Sequence, residues 1–241
     1  MKKLIVIAAA LFVGLQANAQ LIFNGGYLHQ TESTTITGKN DGNEDITLKG
    51  TDLLDGFYAG AKYRIGLDGI TEGLSIAPGA NFSFMFGRHN ALNGEGFKED
   101  IIDDKAKMNQ IALNVPFHVQ YSYEFNPDFK LEAWAGPTFQ LGLFDNVVDN
   151  DDNPSLLYNR FKVIDPSTTY GSLVGGLIAA NFRTQAALNR INLLLGLGVG
   201  VEVAEKIHVN VGYDFGVLNL STANNTTVTR GYLRVGVGYN F

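Results

Sequence analysis

From Ile191 to Val203 the odd positions are all apolar: Ile191, Leu193, Leu195, Leu197, Val199, Val201 and Val203. The even positions are Asn192, Leu194, Gly196, Gly198, Gly200 and Glu202. A period of two places the first set on one face of a β-strand, whereas a helix would scatter it around its circumference. The alternation recurs over 207–217, 233–241, 111–123 and 129–143. Weaker versions over 21–30, 56–67 and 74–86 predict three earlier strands, giving an all-β chain of eight strands.

The connections alternate in length. Short turns fall at Asp68-Gly69, Asn126-Pro127-Asp128 and Ala204-Glu205-Lys206. Long links span Thr31–Thr51, Gly87–Met108, Phe144–Ala187 and Ser221–Thr227. Short turns at one end and long loops at the other are the plan of a transmembrane antiparallel up-and-down β-barrel. The link Phe144–Ala187 is long enough to hold two more strands, 155–164 and 169–182, turning at Asp165-Pro166-Ser167. Ten strands are therefore an alternative, as is a hairpin rising above the barrel.

The polar face is built from glycine, serine, asparagine and single charges, which suits a crowded lumen. Six or seven large apolar residues per strand would overfill that lumen, so the apolar face is predicted to point outward to lipid. Tyr121, Tyr123, Phe125, Phe129, Tyr239 and Phe241 gather at the short-turn end, where an interfacial aromatic girdle belongs.

Composition narrows the class. Hydrophobic residues make up 45% of the 241 and charged residues 17%, which excludes a disordered chain. There is no cysteine, which excludes a disulfide scaffold and a thiolate-bound metal. Glycine occurs 28 times, an excess over the average of about 7% that is awkward for helices and natural where backbones pack closely. Lys2 and Lys3, the apolar run Leu4–Leu15 and the small residues Ala17-Asn18-Ala19 make the three-part pattern of a secretory signal peptide. The predicted organisation is a signal peptide over 1–19 and a barrel domain over 20–241. Removal of the signal lowers the basic residues from 18 to 16 against 24 acidic ones, leaving a net charge of −8. An exported acidic chain lacks the basic face of a nucleic-acid binder.

Several segments resemble a known group. They are Ile111-Ala112-Leu113-Asn114-Val115-Pro116, Ala135-Gly136-Pro137, Leu195-Gly196-Leu197-Gly198-Val199 and Gly212-Tyr213-Asp214-Phe215-Gly216-Val217, with the closing Gly236-Val237-Gly238-Tyr239-Asn240-Phe241. The chain resembles the small outer-membrane β-barrel domain proteins of Bacteroidetes, called PorT-like, whose architecture is that of the OmpA/OmpX barrels. The resemblance implies the bacterial cell outer membrane, contact with outer-membrane lipid and lipopolysaccharide, and handling by the barrel-assembly machinery, whose signal the terminal Tyr239 and Phe241 resemble. The group has no shared catalytic motif, and its name, taken from a role in protein secretion, does not transfer that role.

On the predicted lumen face stand Lys62, Arg64, Lys130, Glu132, Arg190, Glu202, His208, Asp214, Arg230 and Arg234, with His118 and Glu124 beside them. Buried charges must pair or be solvated, so these residues predict a structural ion-pair network closing the lumen. A narrow or gated pore is the runner-up. An outer-membrane lipid-modifying or proteolytic enzyme is third: four histidines, His29, His89, His118 and His208, form no visible Ser-His-Asp set and no zinc signature. A His–carboxylate pair open to the outer leaflet would favour that third reading. Asp149-Asn150-Asp151-Asp152-Asn153 resembles the start of a calcium loop, but Pro154 replaces the expected glycine and Arg160 the closing glutamate. The three longest loops are each net acidic. The reading is a monomer with a non-enzymatic envelope structural or surface-interaction role, without cofactor or metal.

Overall fold

The computed structural model describes residues 19–39, 43, 45–67, 69–88, 93–94, 107–148, 158–161 and 188–241. Among the described residues ten strands follow in chain order: β1 (Ala19–Lys39), β2 (Asp45–Gly66), β3 (Leu74–Arg88), β4 (Asn93–Gly94), β5 (Lys107–Asn126), β6 (Phe129–Val148), β7 (Tyr158–Asn159), β8 (Ile191–Val203), β9 (Ile207–Gly216) and β10 (Thr226–Asn240). Eight of them, all antiparallel, pair in the ring β1-β10-β9-β8-β6-β5-β3-β2 and back to β1. The two-residue strands β4 and β7 only decorate the rims of β2 and β6. The ring therefore closes with the eight predicted strands. The proposed extra strands over 155–164 and 169–182 lie outside the described residues, apart from Tyr158–Phe161. The signal segment also lies outside, apart from Ala19, which opens β1.

The period of two is realised on every long strand. Phe23, Tyr27, Phe57, Phe82, Phe86, Phe117, Phe139, Leu195, Leu197, Val235 and Val237 are exposed on the outer wall. A wall so apolar is stable only against lipid. The outward apolar belt covers 21–27 on β1, 57–63 on β2, 76–86 on β3, 111–125 on β5, 129–144 on β6, 191–203 on β8, 207–215 on β9 and 233–239 on β10. At about 3.3 Å per residue and a tilt near 40°, the β8 stretch rises about 30 Å, enough to cross the membrane. Belt residues also touch one another: Phe57 stacks on Phe84 with centroids 5.1 Å apart, and Phe23 meets Phe241 edge-on at 5.2 Å.

Two boundaries differ from the sequence reading. The link Thr31–Thr51 is mostly strand: β1 and β2 pair continuously from Ala19↔Ile65 to Lys39↔Asp45. Its outward side there is Thr31, Ser33, Thr35 and Thr37 on β1, facing Thr47, Lys49 and Thr51 on β2. Threonine favours the pleated backbone, but this wall stands above the lipid and carries no apolar period for a sequence reader to find. β6 likewise runs on to Val148, past an irregularity where Ile111 pairs Phe144 but Ala112 pairs Gly142.

Among the described residues of the short-turn end, one turn is strained. Lys206 N donates to Val203 O across Ala204 and Glu205, which have φ of 53° and 58°. Positive φ at both central residues is the type I′ hairpin geometry, normally taken by Asn-Gly.

Candidate functional site

The ring's interior is the candidate site, and its inward side chains stack in three tiers. At the short-turn end, the Arg64 guanidinium on β2 bridges two carboxylates, with Nη1 at 2.7 Å from Glu132 Oε1 and 2.6 Å from Glu202 Oε2. Arg64 Nε donates to Gln20 Oε1 at 2.9 Å, and Gln120 donates to Glu132 at 2.7 Å. His208 Nδ1 lies 3.3 Å from Glu132 Oε2 and 3.7 Å from Glu202 Oε2. Lys62 donates to Gln120 at 3.4 Å. Lys130 closes the rim, 3.8 Å from Glu202, 3.2 Å from Glu205 and 3.5 Å from Glu124. Glu132, Glu202 and His208 could geometrically surround a metal ion. Arg64 bridges both carboxylates and Lys130 lies against Glu202, so an added cation would compete with positive charges already in place.

The middle tier explains the glycines. Trp134 on β6 lies across the lumen, with His118 stacked on it at 4.3 Å. A Cβ on Gly198 or Gly212 would run into the indole, and one on Gly196 would meet Asp214 and Trp134. These glycines are the space the indole occupies. Beside it Arg234 pairs with Asp214 and lies over the Tyr58 ring, 5.3 Å from its centre. Asn114 donates to Asn81 at 3.1 Å and to Ser83 at 3.0 Å, and Gln140 donates to Asn114 at 2.9 Å. Tyr232 donates to Gln140 at 3.1 Å. Not all of the lumen is polar: Leu28, Leu54, Tyr58, Met85, Met108 and Val147 form an apolar cluster inside it. Sequence reasoning missed this cluster because single inward leucines and methionines look like exceptions to an alternation.

The upper tier stands beyond the lipid belt. Glu32 accepts from Arg230 Nε at 2.6 Å and from Arg160. Arg230 Nη2 reaches Asp145 Oδ2 at 2.5 Å, and Arg160 Nη1 lies 3.7 Å from Asp145 Oδ1. Burial alone would raise the Glu32 carboxyl, but the two guanidiniums outweigh it and hold its pKa down at about 2. Arg160 belongs to a turn beside β7, so this clasp ties the segment to the ring. Among the predicted lumen residues, nine of ten line this ladder. Arg190 does not: it precedes the first inward residue of β8, is exposed, and lies over the Phe161 ring at 4.8 Å. Glu124 is likewise exposed, at the rim with Lys130. Glu32, Asp145 and Arg160 were not anticipated. The irregularity at Gly142–Phe144 reverses the parity of β6, turning the odd-numbered Asp145 inward.

A second polar group sits on the outer wall at the upper edge of the belt. His29 Nδ1 is 2.8 Å from Asp55 Oδ1, and Tyr27 donates to the same oxygen. The positions pair directly across β1 and β2. Of the other motifs, His89 and the acidic run 149–153 lie outside the described residues.

Comparison with known proteins agrees with this architecture. The profile of the family described as outer membrane protein beta-barrel domain matches residues 23–222. No curated protein matches the sequence as a relative. Solved structures similar to the chain include Ail, the attachment invasion locus protein of Yersinia pestis (13% identity, 93% of this chain and 99% of that one covered, TM-score 0.40). Others are OprG from Pseudomonas aeruginosa (12%, 93% and 96%, TM-score 0.45) and Neisserial surface protein A (13%, 90% and 99%, TM-score 0.37). At those levels of similarity they assign no function. A closed ring of eight strands, a lipid-facing belt and a profile match over most of the chain converge: this protein belongs to the outer membrane protein beta-barrel domain family and resides in the outer membrane.

Proposed function

We propose that the barrel is a closed, non-enzymatic element of the cell envelope, contributing structure and surface contact and conducting no solute. The observation that supports this is the filled lumen: three tiers of paired charge, with Trp134 seated across the middle on Gly198 and Gly212. In this reading the short turns and both chain ends face the periplasm and the long loops face outward, surrounded by lipopolysaccharide. The closing Gly236–Phe241 pattern supports placing the chain among the PorT-like barrels of Bacteroidetes, delivered as a monomer by the barrel-assembly machinery. The purified protein in planar bilayers is expected to show no steady conductance, whereas a large stable open state would refute the closed reading. Orientation is testable because the chain has no cysteine. Asn224→Cys should react with an impermeant maleimide on intact cells, and Asp128→Cys should not.

A second reading rests on the His29–Asp55 pair, a His–carboxylate dyad open to the outer leaflet. It would make the barrel a lipid-modifying enzyme using His29 as base. Identical lipid mass spectra from cells expressing the wild type and His29→Ala would end it.

A further inference from the structure

Just above the lipid belt the outer wall carries two directly opposed cations that no contact among the described residues explains. Arg88 ends β3 and Lys107 opens β5, and the two are Cα partners across that strand pair. Directly opposed residues on antiparallel strands lie about 5 Å apart, and like charges in that position destabilise the pair. Both side chains are exposed, and among the described residues neither has a hydrogen-bond or ion-pair partner. Asp55, one outward position below Arg88's partner Leu53 on β2, is already engaged by Tyr27 and His29.

The surroundings define what would neutralise the pair. Directly below lie Phe86, Phe84 and Phe82 on β3 and Phe57 on β2, an aromatic column in which Phe57 is 5.1 Å from Phe84 and 6.3 Å from Phe86. Its faces belong to the lipid belt and fit acyl chains. Level with the cations and above them on β1 stand the hydroxyls of Thr31, Ser33 and Thr35, with Lys49 of β2 opposite Thr35. From the membrane outward, the wall thus offers a hydrocarbon surface, then two positive charges within reach of one phosphate, then a hydroxyl ladder.

We propose that Arg88 and Lys107 clamp the phosphate of an outer-leaflet phosphorylated glycolipid, whose acyl chains lie on the Phe57–Phe86 column and whose sugars meet the Thr/Ser ladder. The order of the three surfaces is the order of the three parts of such a lipid. A glycerophospholipid would fill the first two and leave the ladder unused. The bound phosphate removes the repulsion between two cations that the strand register holds together. The proposal rests on the orientation given above, with the long loops outward.

The test uses the whole protein, refolded in detergent micelles carrying lipid A, dephosphorylated lipid A or phosphatidylglycerol, with retained lipid read by native mass spectrometry. The wild type should retain lipid A, and Arg88→Gln/Lys107→Gln should retain at least fivefold less, each single variant falling between. Lys39→Gln, higher on the ribbon, should behave as wild type. Equal retention by the double variant, equal retention of dephosphorylated lipid A, or equal retention of phosphatidylglycerol would each overturn the proposal. Heat-modifiable gel mobility establishes that each variant is folded, and the single Lys107→Gln carries the test if the double variant is not. Asn224→Cys labelling reads the orientation separately, so a reversed barrel and an empty clamp give different results.

Discussion

Replacement of Arg64 by Met is the sharpest probe of the lumen. The variant keeps an aliphatic stem of similar reach and removes the guanidinium that bridges Glu132 at 2.7 Å and Glu202 at 2.6 Å. Both carboxylates are almost wholly buried, with side-chain exposures of 3% and 1%. Leaving a buried charge without its partner costs about 3–5 kcal/mol. Two compensations place this case at the lower end: His208 stays 3.3 Å from Glu132, and Lys130 stays 3.8 Å from Glu202. A loss of about 3 kcal/mol corresponds to roughly 150-fold in the folding equilibrium, at about 1.4 kcal/mol per factor of ten. The assay is reversible urea unfolding in detergent, followed by the fluorescence of Trp134, the chain's only tryptophan. Adding Glu202→Gln to Arg64→Met removes one of the stranded charges and should restore about half of the loss, because the cost lies in the unpaired charge. If Arg64→Met lost under about 1 kcal/mol, or if the second change made matters worse, the lower tier would not be the paired network described above.

Three further outcomes are expected. Gly212→Val drives side-chain atoms into Trp134 and the Leu197 carbonyl, so it should prevent folding or cost more than about 3 kcal/mol, while Gly69→Val, in an open turn, should be nearly silent in the same gel-mobility assay. The Glu32 clasp should show acid sensitivity: its pKa is depressed on folding from the ordinary 4.5 to about 2. Its contribution is therefore complete above about pH 4.5 and lost as pH falls towards 2; melting curves between pH 5 and 2 should fall more steeply for wild type than for Glu32→Gln. Finally, Ala204→Asn/Glu205→Gly should raise the unfolding midpoint, because it relieves two residues held at positive φ; the gain of about 1–2 kcal/mol is reduced by the lost Glu205–Lys130 pair, and a lowered midpoint would contradict the turn geometry.

Much of the wall was legible in the sequence, because lipid on one side and a narrow lumen on the other force each side chain to choose. Val199 and Gly200 show it: one must meet hydrocarbon and the other must leave room. Legibility ended where that constraint ended. Above the belt, Ser33 and Thr34 lie on opposite faces of β1, yet both are acceptable to water, so no period marks the strand. Asp145 was hidden by a single-residue slip in register, and Arg160 by its place in a turn far from the ring in sequence. Arg190 shows the reverse error, since extending the β8 alternation one step too far pointed an exposed arginine inward. The outward His29–Asp55 pair needed the register of β1 on β2, which no single-strand pattern contains.

The seam between β1 and β10 sets the order in which this molecule can come into being. It joins residues from opposite ends of the chain, from Ile22↔Asn240 to Ile36↔Thr226. Contacts so distant in sequence form late and slowly. Until they form, two long edges stand open, with unpaired amides and carbonyls that would take a strand from any neighbour. A sheet whose seam is still unclosed is thus the hazardous form, with two sticky margins, and any assembly factor for this protein must shield those margins until the ends meet.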